Sequence, residues 1–168
     1  MCGIAAVIGE RGANTLEKAQ MAIASLRHRG PDGIGFWQSK DERITLSLAR
    51  LSTIDLLSGA RPVANEDETV VAVVSGEFYG FEEIRGKLQS FGHAFRTKTD
   101  SELLVHLYER YGTSCLDRLH GEFAFVLWDE REQCSRVDGK IGPRRLAGDN
   151  GTTCPRCFGE LKTLAKSP

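Results

Sequence analysis

Apolar and polar residues alternate in blocks along the first 130 positions, and each block has a readable period. Cys2–Gly9 (CGIAAVIG) is a continuous apolar run stopped by glycine, the pattern of a buried strand. Asn14 with Glu17 three residues on forms a capping box, predicting a helix whose Leu16, Ala19, Ile23 and Leu26 share one face. The Gly/Pro loop Arg27–Gly33 (RHRGPDG) ends that helix. Strands are predicted at Ile34–Gln38, Ile44–Leu48 and Thr69–Val74, the last closed by Gly76. Phe81, Ile84, Leu88 and Phe91 mark a second helix. Thr99 with Glu102 predicts the start of a third, with Leu103, Leu104, Leu107, Tyr108 and Tyr111 on its apolar side. Gly121–Asp129 (GEFAFVLWD) closes the series as a strongly β-prone strand. Helices separated by antiparallel-type strands, without a repeating βαβ rhythm, predict layered α+β structure.

From Arg131 onward the pattern stops. Eight Lys/Arg stand against four Asp/Glu there, and the eleven apolar residues follow neither period. The chain therefore divides into a packed domain over 2–131 and a basic, Cys-containing, poorly ordered tail over 132–168. A truncated or frame-disrupted gene and a stand-alone subunit with an added basic tail both account for the shift.

Composition narrows the function classes. The chain is 40% hydrophobic and 27% charged with a formal charge of −1, so it lacks the basic excess of a general nucleic-acid or membrane-surface binder. No apolar run reaches the roughly 18 residues of a membrane span, and the N-terminus has no basic region of a secretory signal. A cytoplasmic protein is expected, contacting neither nucleic acid nor membrane. Its five cysteines then do not imply disulfides. Cys154-Pro-Arg-Cys157 is half of a zinc-ribbon pattern without its second half, so no metal site is expected. His28, His93 and His106 are assigned no catalytic role.

The chemistry concentrates at the N-terminus. Removal of Met1 would leave Cys2 with a thiol and a free α-amine, which titrates at about 7.7–8.0 and can serve as a base beside the nucleophile. Position alone is weak support, but six segments in order strengthen it: Met1–Gly9, Arg27–Gly33, Ala49–Pro62, Val73–Arg85, Gly92–Gly112 and Leu116–Arg131. Together they resemble the class II glutamine amidotransferase domain, specifically the glutaminase half of the glutamine-hydrolysing asparagine synthetases.

The resemblance implies a four-layer αββα sandwich of the N-terminal-nucleophile hydrolase type, with a C-terminal edge that this sequence leaves open to being incomplete. It implies that Cys2 attacks the glutamine amide to give a thioester and ammonia. Arg50, in Arg50-Leu51-Ser52-Thr53-Ile54-Asp55, corresponds to the arginine that holds the substrate carboxylate, and Thr53 contacts substrate through its backbone. Glu77 and Asp100 correspond to the acidic residues that hold the substrate ammonium. The oxyanion position, Asn-Gly in the family, reads Ser75-Gly76 here. A lost oxyanion donor costs about 10²–10³ in rate, so hydrolysis is expected to be weak. The alternative is a remnant that binds glutamine or a synthetase partner without turnover. Hydrolysis needs no cofactor. ATP and Mg enter only with a separate synthetase subunit, the partner that would use the ammonia, because no pyrophosphate-binding loop occurs in this sequence.

Overall fold

The computed structural model describes residues 2–11, 13–51, 62–141 and 144–145. Two antiparallel sheets lie face to face. The first has the order β1-β3-β2, from β1 (Gly3–Ile8), β2 (Gly33–Gln38) and β3 (Ile44–Arg50). The second runs β4-β5-β6-β7-β8, from β4 (Val63–Ala64), β5 (Val70–Phe78), β6 (Gly121–Asp129), β7 (Cys134–Ile141) and β8 (Arg144–Arg145).

The period of 2 in β5 and β6 decides the layers. Val71, Val73, Val126 and Trp128 point between the sheets and pack with Ile44 and Leu46 of β3. Val70, Ala72, Val74, Phe123, Phe125 and Leu127 point the other way, onto α2 (Phe81–Ser90) and α3 (Leu103–Tyr111). Helix α1 (Thr15–Ser25) covers the outer face of the first sheet through Ala19 and Ile23, while Thr15 Oγ1 meets Thr45 Oγ1 of β3 at 2.9 Å. The order is helix, sheet, sheet, helix, the expected four-layer sandwich. Among the described residues, no helix is long and apolar enough to cross a membrane.

Three departures from the sequence reading are informative. The capping box at Asn14 forms, with Glu17 N–H donating to Asn14 Oδ1 at 3.4 Å, but Leu16 is exposed and Thr15 takes the buried position. The box expected at Thr99 shifts to Thr97. Glu102 accepts from the N–H groups of Arg96 and Thr97, each at 2.7 Å, and from Thr97 Oγ1 at 2.6 Å, while Thr99 makes no side-chain cap. Asp100–Glu102 consequently forms a 3₁₀ turn before α3.

The third departure is the stop at Arg131. The sheet does not end there: β7 pairs with β6 from Asp129↔Cys134 to Phe123↔Lys140. Its inward positions explain why no period was legible. Cys134 and Arg136 are buried there, and the buried arginine approaches Tyr108 Oη through Nε at 3.4 Å and Glu132 at 3.3 Å. A charged residue facing the core conceals the alternation by which a strand is recognised. Residues 146–168, including the Cys154–Cys157 pair, lie outside the described residues.

Candidate active site

Cys2 immediately precedes β1, and the register of that strand positions it. Gly3 pairs with Ala49, so Cys2 meets the end of β3 at Arg50 and Leu51. The Leu51 N–H donates to Cys2 Sγ at 3.4 Å, and the thiol also faces the Leu51 carbonyl at 3.8 Å. A thiol that receives an N–H in this way can support negative charge on sulfur. Across the gap between the sheets, Ser75 Oγ donates to the Cys2 carbonyl at 2.7 Å. The first described residue is thus tied to the ends of two strands in different sheets.

Ser75, Gly76 and Glu77 are part of β5. The sequence reading ended this strand at Val74 because of the glycine, but pairing continues to Phe78↔Gly121. Gly76 has φ 130°, and a Cβ there would stand 2.0 Å from the Glu122 carbonyl of β6. No L side chain fits this backbone. Here the glycine marks a close approach of two backbones inside a strand, rather than its end.

Asp100, in the turn before α3, is buried and accepts the Phe78 N–H at 2.7 Å, which docks it against the end of β5. Burial pushes its carboxyl above the ordinary value, against the N–H groups donated by Phe78 and Ser101, and the neighbouring negative charge of Glu77 pushes the same way. Two carboxylates at one edge, one of them buried, form a receptor for a cation.

Arg50 closes β3 opposite Gly33 of β2, half-buried. The structure therefore brings Cys2, Arg50, Ser75, Gly76, Glu77 and Asp100 to one end of the two sheets. Thr53 lies outside the described residues, as does Met1. Sequence reasoning passed over a second polar group, Glu66, His93, His106 and Glu109, at the other end of β5. Its four members come from three segments, so no spacing announces them. The histidine set among the apolar residues Leu103–Tyr108 at the start of α3 is the one available signal.

Comparison with known proteins agrees with this arrangement. A family model described as a glutamine amidotransferase domain matches residues 1–146, reaching past β7. Asparagine synthetase [glutamine-hydrolyzing] 1 of Arabidopsis thaliana is 45% identical over 139 residues, covering 82% of this chain and 23% of that protein. A probable asparagine synthetase [glutamine-hydrolyzing] of Dictyostelium discoideum is 42% identical over 134 residues, covering 78% and 24%. The chain thus spans about a quarter of the length of the curated relatives it matches. Among solved structures, the glutamine phosphoribosylpyrophosphate amidotransferase of B. subtilis superposes with a TM-score of 0.63 at 17% identity, covering 77% of this chain and 35% of that one. That likeness extends the shared fold to an amidotransferase of distant sequence. By the family match over most of its length, and by the strand ends that gather its cysteine and acidic residues, the chain belongs to the glutamine amidotransferase domain family.

Proposed function

We propose that this chain hydrolyses the side-chain amide of glutamine, with Cys2 as nucleophile. Once Met1 is removed, the Cys2 α-amine takes the thiol proton. The sulfur then attacks the amide carbon, the C–N bond breaks, and ammonia leaves with the proton returned by the amine. Water adds to the thioester, the C–S bond breaks, and glutamate departs with the thiol restored. Arg50 pairs with the substrate carboxylate, and Thr53 contacts the substrate through its backbone. Glu77 and Asp100 hold the substrate ammonium, whose charge offsets the unfavourable burial of Asp100.

The observation that carries this reading is the double tether of Cys2, by Leu51 at its sulfur and Ser75 at its carbonyl, at the same end of the sheets as the Glu77–Asp100 carboxylate pair. The second tether also argues for slow turnover. The Ser75 hydroxyl donates to Cys2, so the oxyanion is left to the Gly76 N–H, and one missing donor lowers the rate by about 10²–10³. The same engagement favours a second reading, a domain that binds glutamine without hydrolysing it.

The relatives' names suggest that the ammonia serves asparagine synthesis, and a cytoplasmic setting is part of the same proposal. A separate synthetase subunit would then be the partner and would bring ATP and Mg, while hydrolysis itself requires no cofactor. The test is ammonia and glutamate release by the mature chain, with Cys2→Ala as control and an electrophilic glutamine analogue as a label for the sulfur. Labelling with release supports hydrolysis. Labelling without release supports binding alone, and an unlabelled Cys2 overturns both.

A further inference from the structure

Behind the second sheet, at the end of β5 remote from Cys2, four side chains converge. Glu66 comes from the turn before β5, His93 from the segment after α2, and His106 and Glu109 from α3. One nitrogen or oxygen of each lies within 4.8 Å of all the others. His93 Nδ1 stands 3.5 Å from Glu66 Oε1 and 3.7 Å from Glu109 Oε2, and His106 Nδ1 stands 3.5 Å from Glu66 Oε2. The His93–Glu109 Oε2 and His106–Glu66 Oε2 separations are long for hydrogen bonds and close to the roughly 3.4 Å expected between two ligands of one tetrahedral zinc ion. His106 is fully buried, yet neither ring nitrogen has a hydrogen-bond partner among the described residues. The buried Glu109 Oε2 also lacks one. Unsatisfied buried polar atoms call for a specific explanation.

We propose that Glu66, His93, His106 and Glu109 form a binding site for a single divalent transition-metal ion, Zn²⁺ by the chemistry of the set. Two imidazoles exclude a calcium or magnesium preference, since those ions take oxygen ligands, and they suit zinc. Each carboxylate is held by one oxygen and presents the other. Ala94 N–H donates to Glu66 Oε1 at 2.7 Å, and Asn65 Nδ2 donates to Glu109 Oε1 at 3.2 Å.

The support behind the ligands has the form found around zinc-bound histidines. His106 Nε2 faces Glu102 Oε1 at 3.6 Å, on the side of the ring away from the cluster. Glu102 is itself buried and fixed by Arg96 and Thr97. At 3.6 Å the His106–Glu102 pair is not yet a hydrogen bond; drawing together by about 0.5 Å when the ion binds would select the tautomer and leave Nδ1 aimed at the metal. The ligand atoms, up to 4.8 Å apart, must draw together by up to about 1.4 Å to complete a tetrahedron. Four protein ligands close the coordination sphere, so the ion is structural. It joins the turn before β5, the end of α2 and α3 in one clamp.

The test uses the full chain carrying Cys2→Ala, so that the Cys2 thiol cannot capture metal. After chelator treatment the protein is reloaded with Zn²⁺ or Co²⁺ and dialysed. The proposal expects about one ion retained per chain, a raised Tm, and tetrahedral Co²⁺ absorption without thiolate charge-transfer bands. His93→Gln and Glu109→Gln should lose the retained ion while their circular dichroism is unchanged, and Glu102→Gln should weaken affinity by about 10–100-fold. The buried His106 is avoided because its replacement could prevent folding. Absence of retained metal in the parent overturns the proposal, leaving an ion-free His–Glu network. Equal retention in His93→Gln and Glu109→Gln overturns it too, as do thiolate bands, which would assign the metal to cysteines.

Discussion

Strand β5 has a polar cluster at each end, and the two are built differently. At its C-terminal end, Cys2, Ser75 and Asp100 are fixed largely through main-chain atoms: Ser75 holds the Cys2 carbonyl, Leu51 N–H meets its sulfur, and Phe78 N–H meets Asp100. At its N-terminal end, Glu66, His93, His106 and Glu109 face one another through side chains, with buried atoms unsatisfied. The first arrangement gathers a thiol and carboxyl groups at the strand ends. The second turns four side chains toward one another and suits a resident ion. A main-chain N–H that holds one side-chain atom fixes its direction while leaving its remaining lone pairs unused, whereas mutual side-chain approach suits permanent occupancy.

The sharpest way to break this comparison is Cys2→Ala, which should reduce ammonia release to background while leaving the melting temperature near that of the parent. Shortening the chain to end at Arg131 should come next. It removes β7, bares the whole edge of β6, and is expected to give aggregation in a solubility and light-scattering assay, whereas ending after Arg145 should not. Gly76→Ala should cost about 1–3 kcal/mol from backbone strain alone. Its overlap with the Glu122 carbonyl adds to that, and denaturant melts would read the total. Ser75→Asn should raise the hydrolytic rate by up to about 10²-fold if the shorter side chain is what slows turnover.

Asp100→Asn separates function from stability. It should lower kcat/KM for glutamine by about 10–100-fold, the worth of a charged hydrogen bond. The sign for stability is opposite. Because the folded-state value of Asp100 is raised, the folded protein holds that proton more tightly than the unfolded chain does. Stability contributed through Asp100 therefore falls as pH rises from the ordinary aspartate range through the raised value. Asp100→Asn should be at least as stable as the parent at pH 7, with the advantage vanishing in acid. Thermal melts across pH would show this, and glutamine should protect the parent more than the variant.

Much of this was legible before any coordinates. The helix at Thr15, the β6 strand and the motif residues around Cys2, Arg50, Ser75 and Asp100 each carry local signals: a cap, a β-branched and aromatic run, or a short ordered motif. The signal failed where a residue type obscured the period. Gly76 concealed the continuation of β5, and Arg136 at an inward position concealed β7. Val105 and His106 are buried with the expected apolar face of α3, since that helix is enclosed by the sheet, α2 and the His93 segment.

The amino-acid sequence by itself determined most of the helices and strands, because period and caps act over a few neighbouring residues, while the four-layer order and the candidate site residues followed from the family resemblance of its ordered motifs. Only the tertiary structure decided which carboxylate is buried beside which, that the Ser75 hydroxyl is spent on Cys2, and that two histidines and two glutamates meet. Those outcomes depend on strand register and helix docking, which bring together residues separated by tens of positions, and desolvation is a property of the assembled environment.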